Sequence, residues 1–184
     1  MVGGDRGTLQ VRTYREGLAK MAGHDLVIDV GVWEAAAEVC EDGALSAVQL
    51  DADPRSLQVR EGLRGVRPLT DKDRAGIGKI IDEQILGGRP IAFRSTAVEP
   101  GHGAVTVRGE LELAGTKRPA SFELEATADG RVRGTVPVTQ SEWGIKPVGG
   151  WWAPSRCATP SKSFSTSRYR RTKPTLVLRA EAVA

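Results

Sequence analysis

The residues that could do chemistry are few and scattered. His24 and Asp25 adjoin in the run GHDL, and this pair of types serves general acid–base catalysis elsewhere. The run continues as LVIDV with the alternation of a strand, and neighbours on a strand point to opposite faces. The two side chains therefore cannot easily share one proton path, and a polar residue at a strand start is the plainer reading. His102 lies in EPGHGAV, a turn by composition. These two histidines stand in different contexts, and Cys40 and Cys157 match neither a zinc spacing nor a disulfide framework. Fragments such as GGR lack the strand-to-helix setting of a phosphate loop, and no serine or cysteine has a recognisable base partner. Trp33 and Trp143 could flank a ligand, but packing in a core or at a rim is the plainer account. No catalytic residue, metal or cofactor is expected, and the chain reads as a non-enzyme.

The elements that would position a site are mostly strands. TLQVRT alternates, with Leu9 and Val11 on one face. HDLVIDVGVW sets Leu26, Ile28, Val30 and Val32 on one side and Asp25 and Asp29 on the other. Val48 and Leu50 mark a strand that breaks at DPRS and resumes through Leu57 and Val59, and IAFRST supplies Ile91 and Phe93. VTVRGELEL is the clearest, with Val105, Val107, Leu111 and Leu113 together; SFELEA and VRGTVPV repeat the pattern through Phe122, Leu124, Val132, Val136 and Val138. Pro137 cannot donate to a ladder and so marks an edge or a bulge. One helix interrupts the series: Thr70 caps it, acids fill its first turn, and Ile77, Ile80, Ile81 and Ile85 share a face. A shorter helical turn is expected at EGLAKMAG. About seven alternating strands with one long helix predict an all-β, mainly antiparallel sheet that closes on itself as a barrel. Inward apolar faces then form a filled core or line an oily cavity, and periodicity alone does not separate the two.

The chain's 184 residues suit one domain, and no apolar run reaches the ~20 residues of a membrane-spanning helix. MVGGDRGTLQV lacks the basic and apolar regions of a signal peptide, so a cytoplasmic protein is expected. The overall charge is +3, yet the residues from Val148 onward carry seven Lys/Arg against one acid, a net +6 that leaves −3 for residues 1–147. The acidic body shows no electrostatic footprint for a phosphate backbone, so no nucleic-acid partner is expected. The basic end, GGWWAPSRCATPSKSFSTSRYRR, has no period at all. Read one frame over, codons consistent with Trp151 to Arg171 restore an alternating apolar–polar ending. A domain over 1–147 followed by an aberrant or disordered tail at 148–184, a frameshift product arising near Pro147 or Val148, is the expectation. A natural basic tail, and an arm that stacks nucleic-acid bases on Trp151, Trp152 and Tyr169, are the alternatives. The barrel's closing strand is then missing or replaced, leaving two edges unpaired unless PTLVLRAEAVA partly substitutes through Leu176 to Leu178.

GHDLVIDV, the strand pair in LDADPRSLQVREG, the helix in DKDRAGIGKII, PIAFRST, VRGELELAGTKRPASFELEA with its short GTKRP turn, and SEWGIKP follow one another in an order that resembles the YceI-like proteins. The resemblance runs from about Thr8 to Pro147. It implies a lipocalin-like β-barrel with a helical insertion that binds a polyisoprenoid or another long-chain lipid in an elongated apolar cavity. It further implies Leu26, Ile28, Val30, Phe93, Val105, Val107, Phe122 and Leu124 as cavity lining, and a homodimer, although no seam is visible in the sequence. The expected function is non-catalytic binding or carriage of such a ligand. An enzyme acting on an apolar substrate, with His24 as its one catalytic group, is the alternative.

Overall fold

Alternation in the sequence becomes one curled antiparallel sheet. The computed structural model describes residues 1–14, 23–127, 131–145 and 175–183, the last of these by backbone. The turn expected at EGLAKMAG falls mainly on 15–22, and Trp151, Trp152, Cys157 and Tyr169 fall on 146–174; both stretches lie outside the described residues. Among the described residues eleven strands pair: β1 (Val2–Gly3), β2 (Gly7–Thr13), β3 (Asp25–Val30), β4 (Trp33–Val39), β5 (Leu45–Ala52), β6 (Leu57–Leu63), β7 (Ile91–Pro100), β8 (Ala104–Leu113), β9 (Thr116–Ala126), β10 (Arg131–Thr139) and β11 (Thr175–Val183). Their order is β1-β4-β5-β7-β8-β9-β10-β11-β2-β3-β6.

The two ends of that order meet in one bent hairpin. β3 pairs with β6 and β4 with β5, so β3–β4 and β5–β6 are the two legs of a single long ribbon. At its corner the Gly31 N–H donates to the Ser56 carbonyl (3.1 Å) and the Asp53 N–H to that of Val32 (2.9 Å), carrying the ladder round the bend. The Asp53 carboxylate accepts from the Arg55 N–H (2.9 Å) and caps the short turn Pro54–Ser56. One end of the ribbon borders β2 and the other borders β7, which curls the sheet into a barrel. The bend also changes one expectation. Val32, placed by alternation beside Leu26, Ile28 and Val30, is 62% exposed, because the period breaks at Gly31.

The remaining position in the ring is filled by β11. Leu178 stands opposite Val136 of β10 on one side and Val11 of β2 on the other. Thr175–Val183 thus takes the place of the closing strand. β10 pairs with β9 only through Val132 to Gly134, and Pro137 lies on the stretch where the two have parted. The turn Gln140–Trp143 packs there: Trp143 is buried, its indole N–H donates to the Leu111 carbonyl (3.3 Å), and Arg118 Nε donates to that of Glu142 (3.0 Å).

Two further details differ from expectation. The connection between β8 and β9 is not the GTKRP run but the pair Ala114–Gly115, at φ 51° and 75°. Two successive positive φ values match the twist of a tight hairpin, so Thr116 to Pro119 already belong to β9. Between β6 and β7 lies α1 (Asp71–Ile80), which runs on into a wider turn at Ile81–Leu86. Ile77, Ile81 and Ile85, spaced by four, form the stripe against the core, and Leu86 is fully sheltered. Ile80, a residue out of that spacing, is not part of the packed stripe.

Candidate functional site

Inward side chains form a packed core and the wall of a cavity. Leu26 and Ile28 from β3, Val107, Leu111 and Leu113 from β8, Val138 from β10, and Leu69, Leu86 and Trp143 pack into a dense core. Val107 and Val138 have no exposed surface at all. Toward the end where the β4–β5, β7–β8 and β9–β10 hairpins turn, the inward positions include Ala35 and Ala37 on β4 and Gly134 on β10. Small residues there leave space that the larger ones elsewhere fill. The result is a cavity of about 510 Å³, open at the hairpin end, where Met1 is 79% exposed.

Apolar groups make nearly the whole wall. Phe93 and Phe122 meet edge to face across it, with ring centroids 5.1 Å apart. Val30, Trp33, Val48, Leu50, Val105 and Leu124 extend the surface. Gly109 on β8 lets Phe93 lie close: a Cβ there would come within 2.6 Å of the ring and 2.2 Å of the Arg94 carbonyl oxygen. Outside the wall the sheet is polar and cross-braced. Arg94 clamps the Asp51 carboxylate with one guanidinium nitrogen (2.7 and 2.8 Å), a half-exposed pair of modest strength.

Of the eight residues expected to line a cavity, the structure brings Val30, Phe93, Val105, Phe122 and Leu124 together around it. Leu26, Ile28 and Val107 belong to the buried core and do not line the cavity, although Val107 stands on β8 between Val105 and Leu111, which do. Sequence reading missed Ala35, Ala36 and Ala37, because WEAAAEV has neither strict alternation nor β-branched residues until its end. It also missed Arg6 and Gln49 at the wall, where no motif marks them.

His24 and Asp25 lie at the helix end, away from the cavity. His24 Nε2 is 2.7 Å from the Arg67 carbonyl, a geometry in which the ring N–H donates. Asp25 is buried, with the Arg64 guanidinium 3.4 Å from its carboxylate. Beside them the helix cap is reciprocal. The Asp73 N–H donates to the Thr70 hydroxyl oxygen (3.2 Å), and the Asp73 carboxylate accepts from the Thr70 N–H (3.0 Å) and hydroxyl (2.8 Å). Those two bonds, the backbone one first, hold Asp73 below its ordinary pKa; burial opposes them slightly, and Arg67 and His24 add attraction. These residues fasten the loop before α1 to the barrel end. His102 sits separately, in a polar recess with Glu123 and Glu125. No described helix is long and apolar enough to cross a membrane.

Comparison with known proteins agrees with this geometry. The family model of the YceI-like domain matches residues 89–158. No curated protein matches the chain. Among solved structures, BcnA of Burkholderia cenocepacia superposes with a TM-score of 0.65 at 13% identity, over 100% of this chain and 99% of its own, which shows a shared fold. The YceI protein of Campylobacter jejuni aligns with a TM-score of 0.47 at 9% identity, over 64% of this chain and 70% of its own.

Proposed function

We propose, from the match of residues 89–158 to the model of the YceI-like domain, that the protein binds and carries a long-chain apolar or amphiphilic molecule, a polyisoprenoid or similar lipid, inside its barrel. One observation carries the reading: the continuous apolar wall around about 510 Å³ of space, opening at one end. That volume lies within the range of sites that enclose one small organic molecule. Each methylene of a tail that leaves water for such a wall contributes ~0.8 kcal/mol, so a moderate length of chain supplies useful affinity without any polar contact. His24, the one group considered for catalysis, is engaged by the Arg67 carbonyl at the far end of the barrel. Binding without turnover is therefore the reading that fits the cavity.

Native mass spectrometry of protein purified from its own source tests this. A lipid-sized adduct, released on denaturation, is the expected result. The absence of any adduct, together with no saturable uptake of a long-chain fluorescent probe by the purified protein, would overturn it.

A further inference from the structure

We propose that Arg6 makes the cavity selective for an amphiphile whose head group is an oxyanion, a carboxylate or a phosphate ester. This rests on the carrier reading above and adds the chemistry of the head. Among the described residues of the wall, Arg6 is the one charged side chain. It stands in the turn between β1 and β2, fixed there by its own N–H, which donates to the Gly3 carbonyl (3.0 Å). Its Nη2 donates to the Met1 carbonyl (2.5 Å), and none of the described carboxylates forms an ion pair with it. A guanidinium has five N–H donors in a planar fork, so most of them remain for a guest.

Position supplies the rest of the argument. Away from the hairpin end the cavity is bounded by the buried Leu111 and Ile91. A tail that enters at the hairpin end leaves its polar head at the mouth beside Arg6. A carboxylate or phosphate there gains charge-assisted, two-pronged hydrogen bonds that a hydroxyl head cannot match. The cation is exposed, so the gain is modest: about three- to five-fold in affinity.

Competition binding with the full chain tests the assignment. Palmitic acid, hexadecyl phosphate and hexadecanol each displace a neutral fluorescent probe, at a pH where both acids are ionised. At least one acid is expected to bind about three- to five-fold more tightly than the alcohol, and which one does names the oxyanion. Arg6→Gln is expected to abolish that preference and Arg6→Lys to keep most of it. The preference of the unaltered protein should also shrink as salt is raised, a readout that needs no variant to fold. Equal binding of acids and alcohol, or a preference indifferent to both Arg6→Gln and salt, would overturn the assignment while leaving the carrier reading intact. Failure of the probe and of all three competitors to bind would overturn both.

Discussion

The ring of Phe93 on β7 meets that of Phe122 on β9 at an interplanar angle of 64°, across β8, which runs between them. The pair links two strands that share no backbone hydrogen bonds, and it forms part of the cavity wall at the same time. Phe93→Ala should therefore destabilise the fold by roughly 3–5 kcal/mol in urea titrations. Phe122→Ala removes the same ring contact, worth about 0.5–1.5 kcal/mol beyond area burial, but from a less sheltered position, so its total cost should be smaller. A cost for Phe122→Ala equal to or above that for Phe93→Ala would contradict this picture.

Filling the hollow half should affect the guest and spare the fold. Ala35 lies on the wall and is only partly buried. Ala35→Leu adds three carbons, displaces about three methylenes of a bound tail at ~0.8 kcal/mol each, and should weaken probe binding by up to about fifty-fold. The thermal midpoint should stay the same or rise. An unchanged affinity would show that the tail does not reach this level.

The tight turn at Ala114–Gly115 keeps a residue with a Cβ at φ 51°. Glycine takes that region without strain and adds no bulk to this buried position. Ala114→Gly should raise stability by about 0.5–1 kcal/mol, read from the denaturation midpoint. Gly115→Ala should do the reverse, because its Cβ would press within 2.6 Å of Arg89 Cδ.

The helix cap gives the pH dependence a definite sign. Asp73 has a folded pKa below its ordinary value of 3.8, so its contribution is fully present above about that pH and disappears as the pH falls through the lower, folded value. Thr70→Ala removes both the hydroxyl bond and the cap. Its destabilisation relative to the parent should be constant near neutrality and shrink under acid conditions. A difference that grows on acidification would contradict the assignment.

Closure by β11 can be checked on the intact chain. A mass of 19.7 kDa for protein from its own source is expected if Thr175–Val183 is the closing strand. A different mass, matching the frame-shifted ending, would support the frameshift reading of the tail. For the chain as it stands, ending it at Pro174 should expose the edges of β2 and β10 and cause aggregation.

Legibility in the sequence followed the physics of each element. β2 and β8 declare themselves because one buried face imposes a period of two. β4 does not, since an Ala- and Glu-rich run has more helical than extended preference and is held in the sheet by its partners β5 and β1. The site was half legible for a related reason. Alternation says that Ile28 and Val30, or Val105 and Val107, face inward. It does not say which of them border free space and which meet a packed neighbour, and that decides between core and cavity. That depends on which residues stand opposite, here Ala35 and Gly134, and so on pairings that span much of the chain.

The pairing of β2 with β11 has a consequence for how the protein is made. Val11 leaves the ribosome 167 residues before its partner Leu178 (178 − 11). At roughly 5–20 residues per second, one edge of β2 waits on the order of 10–35 s before the strand that covers it exists. During that interval the first wall of the barrel is an open edge in a crowded cell. The protein's exposure to misassembly therefore depends on the time between the synthesis of β2 and that of β11, as well as on its final stability.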